Sequence, residues 1–270
     1  MPTKPKQFTG PYASIFQDAS VISDYQHRPM YPAETFAVLL RLIQPADKLS
    51  FVLDAGCGTG FIARPLADYV DRIDAVDISA GMIAMAKTLP GGDRPNIHWM
   101  VAPIETAPLS GPYALIVAAA SIPWMDWERT LPRFADHLAP KAWLALVEEI
   151  HVPNPWDQQV APMIQHYSMN KDFIPHTMQS LAEELEQRQL FQLHGSYETA
   201  SVPFQQPIDS YIQSFHARNG FSLDRMDPLA AAQFDRGLRA EVEPFCPNGL
   251  VEQKIRALIL WGRPLSGKTK

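Results

Sequence analysis

The segment FVLDAGCGTG, residues 51–60, constrains this chain more than any other, because an apolar run ends in a turn that holds three glycines in five positions. Gly56, Gly58 and Gly60 are free to take positive φ and leave no Cβ between the backbone and a ligand above it. A turn of this kind belongs at the carboxyl end of a strand in an open α/β sheet, where ligands bind in that architecture. The following sequence supplies the setting. Short apolar runs alternate with helical ones: FVLDAG, a helix to Val70, RIDAVD, a helix from Ser79, IHWMV, YALIVAA, a helix through WERTLPRFADHL, then AWLALVEE. Such alternation predicts a doubly wound α/β fold, an open and mostly parallel sheet with helices on both faces.

The flanks divide around this core at 51–150. Residues 1–50 read as an N-terminal arm and a docking helix, in which Phe36, Leu39, Leu40 and Ile43 recur at helical spacing after Pro32. The regularity breaks in two places, at the proline- and aromatic-rich stretch 151–177 and at the mostly helical stretch 207–250, and both read as a helical cap inserted over the active site. Residues 178–206 and 251–270 complete the sheet, with a helix around MQSLAEELEQRQL, a strand FQLHGSYETASV and a last strand IRALILWGRP.

Composition narrows the function classes. The net charge is −6 and dense Lys/Arg runs are missing apart from the Lys-rich ends, so the electrostatic footprint of a nucleic-acid binder is absent and a small-molecule partner is expected. No apolar run approaches the ~20 residues of a membrane span, and the N-terminus lacks a secretory apolar stretch. The expectation is a cytoplasmic protein that does not engage a membrane. Cys57 and Cys246 are the only cysteines and form no C-x-x-C pair, which indicates neither a disulfide framework nor a thiolate metal site. Cys57 reads as a small buried residue filling the turn, since no basic neighbour in sequence lowers its pKa.

Glycine spacing alone leaves two ligands open. Read from Gly58, GTGFIA satisfies the dinucleotide pattern of a nicotinamide-dependent oxidoreductase, and Asp77 at the end of the second strand could hold a ribose diol in either case. Asp54 separates them. Two residues before the first glycine, its fixed negative charge opposes a pyrophosphate and attracts an α-ammonium group. S-adenosylmethionine carries an ammonium, a sulfonium, a ribose diol and an adenine, and D-x-G-x-G-x-G followed by an acid on the next strand meets those groups in order.

VLDAGCGTG and IDAVDISAGMIAMAK resemble the first two cofactor motifs of the class I S-adenosylmethionine-dependent methyltransferases. The resemblance extends to a small-molecule methyltransferase group with an N-terminal Y-x-x-R-P-x-Y-P segment, here Tyr25 to Pro32, and it touches AAASIPWMDWERTL, SFHARNGFS and LILWGRP. It implies a Rossmann-like sheet of seven strands with an antiparallel last hairpin. It also implies that Asp54 and the glycines hold the methionine portion, that Asp77 holds the ribose, that Ile78 and Met82 pack near ribose and adenine, that Ala118 and Ala119 line the methionine side, and that Tyr25 and Arg28 contribute to the cofactor site. The chain departs from the pattern twice. Ala102-Pro103-Ile104 stands where many relatives have G-D-A, so the adenine falls to Pro103, to the Ile104 N–H or to Glu105. Pro123-Trp124 replaces the H-W found after the fourth strand in close relatives, removing a candidate acid or base. These departures leave open a non-methyl reaction on the same cofactor, or binding without catalysis.

The reaction expected is transfer of a methyl group to an oxygen or nitrogen of a small acceptor, an in-line displacement in which the leaving group is already activated. His151 follows the fifth strand and is the candidate catalytic base. Tyr12, Trp124, Trp156, His166, Tyr167 and His216 are the candidate pocket residues. His166, Tyr167 and His216 are expected to be exposed, Trp124 and Trp127 suit either a pocket wall or the core, and Glu148 and Glu149 are expected to end the strand with one inward and one solvated.

Overall fold

The computed structural model describes residues 4–43 and 50–266; the parts of the arm at 1–3 and 44–49, and of the terminal segment at 267–270, lie outside the described residues. In chain order the helices and strands are α1 Gly10–Ala13, α2 Ala19–Asp24, α3 Ala33–Leu42, β1 Phe51–Ala55, α4 Ala63–Leu66, β2 Arg72–Asp77, α5 Ala80–Thr88, β3 Ile97–Val101, β4 Tyr113–Ala119, α6 Trp127–His137 and β5 Leu138–His151. They continue as α7 Asp157–Tyr167, α8 Met178–Gln187, β6 Phe191–Glu198, β7 Val202–Pro207, α9 Ile208–His216, α10 Pro228–Val242 and β8 Leu250–Pro264. Two compact units result: a sheet unit of Tyr31–Ile150, His176–Ala200 and Arg256–Lys270, and a cap unit of Met1–Met30, His151–Pro175 and Ser201–Ile255. Among the described residues no helix is long and apolar enough to cross a membrane.

The sheet unit follows the order β3-β2-β1-β4-β5-β8-β6. β1 to β5 pair in parallel, and β6 runs antiparallel to β8. This path has the seven strands expected. The eighth, β7, pairs antiparallel with Leu250–Ile255 of β8 inside the cap unit. The segment expected as one strand from Phe191 onward therefore divides, because the Thr199 hydroxyl accepts the Ala257 N–H at 2.9 Å in place of a backbone carbonyl. Alternation along the central strands buries both faces. Val52, Leu115, Val117 and Val147 pack with Leu39 and Leu66 in one aliphatic layer, while Leu53, Ile116, Leu144 and Leu146, also buried, point the other way.

One helix is shorter than its sequence suggests. α4 stops at Leu66, not Val70, where the Tyr69 N–H turns back onto the Leu66 carbonyl at 3.0 Å in the tighter i→i−3 pattern. The glycine turn is thus followed by one helical turn only.

The cap unit is built around Phe234, which is fully buried and meets the rings of Tyr167, Phe215 and Phe221 at 4.8–5.8 Å. The N-terminal arm is tied to it by polar bonds: Ser222 donates to Asp18 at 2.6 Å, Arg225 Nε pairs with Asp18 at 2.6 Å, and Asn219 donates to the Tyr12 carbonyl at 3.0 Å.

His216 sits in this core at 2% exposure, against the exposure expected for it. Its Nδ1 lies 2.9 Å from the Phe221 carbonyl and its Nε2 2.9 Å from Asp235 Oδ1, so both ring nitrogens face acceptors. Burial opposes the charge, but Asp235 and the Phe221 carbonyl outweigh it and raise the pKa. The stabilisation is complete below the ordinary value of 6.5 and fades as pH rises through the raised folded value. In thermal melts from about pH 6 to about pH 9, His216→Gln is expected to be destabilised most at the acid end, with the gap to wild type narrowing as pH rises. A constant gap would show that His216 does not titrate in the fold.

Candidate active site

Parallel pairing brings the carboxyl ends of three strands to one edge of the sheet unit, with Ala55 opposite Val76 and Asp54 opposite both Ala75 and Val117. The glycine turn crosses that edge. Gly56, Gly58 and Gly60 have φ of +71°, +52° and +81°, so each uses the left-handed region that a side chain disfavours. The Gly56 and Cys57 N–H groups both donate to the Val76 carbonyl, at 2.8 and 3.0 Å, and fix the turn to β2.

Asp54 is 1% exposed, and one of its carboxylate oxygens accepts the Ala63 N–H at 3.0 Å. Burial raises its pKa to about 7; the Ala63 bond lowers it and the charge of Asp77 raises it further. A buried carboxylate with one backbone donor suits an ammonium partner. Asp77 accepts from the Gly58 and Ser79 N–H groups, each at 2.8 Å, so it braces the middle of the turn and caps the approach to α5. Burial raises its pKa too. In the same turn the Thr59 hydroxyl is buried without a hydrogen-bond partner among the described residues. Bare backbone, an uncompensated carboxylate and a second acid on the next strand all fit S-adenosylmethionine.

The remaining expected residues fall into two groups. In the sheet unit, Ile78 is 54% exposed while Met82 is buried, with its N–H on the Ser79 side chain. Ala118 is buried and Ala119 half-buried at the end of β4, Pro103 is exposed and Ile104 buried. Glu105 accepts the Asp126 N–H at 2.9 Å and so serves the start of α6. Trp124 is half-buried in a short helical turn, and Trp127 is core, donating to the Ile122 carbonyl at 2.7 Å. Cys57 is buried, and burial followed by the charges of Asp54 and Asp77 pushes its thiol pKa well up, which makes it a packing residue. Glu148 and Glu149 are both half-buried, not one inward and one solvated, because Glu148 accepts the Met178 N–H at the start of α8.

In the cap unit, Arg28 stacks 5.3 Å over the Tyr25 ring, and Tyr12 donates to Asp172 at 2.6 Å. His166 is exposed with its ring against Tyr167, which is half-buried. His151 is half-buried at the end of β5, its Nδ1 3.4 Å from Gln253 Nε2. Trp156 and His216 belong to the apolar interior; Trp156 is 2% exposed and donates to the Tyr211 hydroxyl. Two groups near the glycine turn had no reading in sequence. The Ala63 N–H has no motif to mark it, and Ser121 is a small polar residue just after β4 whose only signal is its position.

The family described as a methyltransferase domain matches residues 52–141. A malonyl-[acyl-carrier protein] O-methyltransferase from Enterobacter lignolyticus (strain SCF1) is 31% identical over 183 residues, covering 66% of this chain and 68% of that protein. A second protein of that name, from Anoxybacillus flavithermus, is 38% identical over 91 residues, a third of each chain. Among solved structures, a proposed type II methyltransferase from Anaeromyxobacter dehalogenans superposes with a TM-score of 0.62 at 22% identity, over 88% of this chain and 97% of that one.

The raised pKa of Asp54 sets a pH dependence for binding of an ammonium-bearing ligand. Protonated Asp54 offers no charge, so affinity for S-adenosylhomocysteine is expected to climb as pH rises through about 7 and then level off. Asp54→Asn is expected to bind about tenfold or more weakly and to lose that dependence. Calorimetric titration across the range checks both, and a flat wild-type profile would remove the charge-pairing role.

Proposed function

This chain belongs to the class I S-adenosylmethionine-dependent methyltransferases, and from that premise we propose that it methylates an oxygen of a small-molecule acceptor and falls in the group with the Y-x-x-R-P-x-Y-P segment. The observation that carries the cofactor assignment is the buried Asp54 carboxylate beside a glycine turn braced by Asp77. S-adenosylmethionine supplies a methyl group already activated on a cationic sulfur. Asp54 then holds the ammonium, the glycine backbone lies along the methionine portion, Asp77 accepts from the ribose, and Ile78 with the Ile104 backbone bounds the adenine.

Oxygen is favoured over nitrogen by the names of the relatives, which are O-methyltransferases. A carboxylate acceptor is ionised at neutral pH and has no proton to lose, so attack on the methyl group requires alignment and exclusion of water and no side-chain base. That suits a chain with Pro123-Trp124 after its fourth strand. A hydroxyl acceptor would instead draw on His151 as the group that takes the proton. Acceptor selection is assigned to residues of the cap unit, with Tyr12, His166 and Tyr167 as candidates.

Calorimetric titration with S-adenosylmethionine and S-adenosylhomocysteine, with NAD(H) and NADP(H) as controls, tests the cofactor. Binding of the adenosyl ligands, weakened about tenfold or more by Asp77→Ala, is expected; nicotinamide binding in their place would overturn the assignment. An acceptor screen with labelled cofactor then separates the acceptor classes. His151→Ala is expected to leave kcat within about threefold on a carboxylate and to lower it by about a hundredfold or more on a hydroxyl. Methyl transfer to nitrogen alone would refute the oxygen reading.

A further inference from the structure

The turn after β4 holds its backbone in an unfavourable conformation at the edge where the glycine turn sits. Ala120 has φ of +51°, in the left-handed region that a Cβ disfavours. Its N–H donates to the Val147 carbonyl at 2.8 Å, so this conformation is pinned by β5. The strain has a visible product. It directs the chain so that Ser121, 8% exposed, donates its hydroxyl to the Ala55 carbonyl at 2.5 Å.

Ala55 is the last residue of β1, and its carbonyl belongs to the peptide that enters the glycine turn. Contact there is close: a Cβ built on Gly56 would stand 2.5 Å from the Ser121 Cβ. On its other side the same turn is held by the Val76 carbonyl, which accepts the Gly56 and Cys57 N–H groups. The entry to the turn is therefore fastened from β2 and from Ser121, two residues past β4, and both fastenings lie within the sheet unit.

We propose that Ser121 is a positioning residue for the cofactor, holding the Ala55–Gly56 peptide in place through its hydroxyl so that Asp54 and the Gly58 backbone keep their register. The assignment rests on the S-adenosylmethionine reading of this site. Its effect passes through the Ala55–Gly56 peptide it holds. Without the hydroxyl the Ala55 carbonyl loses this donor, and the peptide is left with the Gly56 N–H bond to Val76 as its anchor, so its tilt is less tightly set.

The test is S-adenosylhomocysteine binding by calorimetry on the full chain, with melting temperatures in parallel and separate KM values for cofactor and acceptor. Ser121→Ala is expected to weaken binding by on the order of tenfold, to raise the KM for the cofactor and to leave the KM for the acceptor unchanged. Ser121→Thr and Ser121→Val differ by the hydroxyl alone in matched shapes, so recovery of affinity in the first and not the second isolates the hydrogen bond even if the alanine variant folds poorly. Ala120→Gly, which takes a positive φ without strain, is expected to bind as wild type does. Equal affinity in wild type, Ser121→Ala and Ser121→Val would overturn the positioning role while leaving the cofactor assignment intact. A wild-type protein that binds no adenosyl ligand would overturn both.

Discussion

A carboxylate buried to 1% exposure with one backbone hydrogen bond among the described residues is the interaction around which the sheet unit is organised. Burying such a group costs several kcal/mol if it stays charged, so the protein lets its pKa rise to about 7. That cost is tolerable because the surroundings cannot yield. Asp54 lies on a central strand paired on both sides, between Val52 and Leu53 that are completely buried and a turn anchored to β2. A site that keeps its acid in place without a countercharge is organised in advance for a ligand that brings one, and the folded chain bears the strain in the meantime.

The cap unit is held by a different kind of contact. Its centre is a set of edge-to-face rings around Phe234, the arrangement that aromatic quadrupoles favour, and its arm is fastened by ion pairs and side-chain hydrogen bonds through Asp18, Ser222 and Arg225. The first explains why residues that look like pocket walls in sequence can be absorbed into the interior. Trp156 satisfies its indole N–H on Tyr211, and His216 satisfies both nitrogens, so neither needs water. The second makes the arm's attachment depend on charge and geometry as well as on apolar area.

The sheet was legible because its signals are local. A strand ending in glycines, an acid at the end of the next strand and a helix from Ser79 are each set by a few adjacent residues, and the structure has all three. What escaped the sequence depends on partners far along the chain. Glu105 is committed to the start of α6, Ser121 to a carbonyl of β1, and Thr199 to an N–H of β8, which splits a strand that its own residues would continue. In the cap unit, burial decided the roles of Trp156 and His216, and burial cannot be read from spacing when an aromatic helix face suits a core and a pocket equally.

Methyl transfer makes modest demands on side-chain chemistry and strict ones on position, and the anatomy of the sheet unit matches that balance. Its turn geometry is mostly backbone: three positive-φ glycines, two N–H groups on one carbonyl, and a strained alanine that delivers a serine hydroxyl to the Ala55 carbonyl. Buried Asp54 and half-buried Asp77 act as fixed charges and hydrogen-bond acceptors. Displacement at a methyl group falls off steeply when the reacting atoms leave their line, and misplacement by about 1 Å can cost about a hundredfold in rate. A chain that invests its strain in the walls of the turn and leaves the position after β4 to proline and tryptophan is therefore coherent as a device for alignment, and proton removal becomes a property of the acceptor it selects.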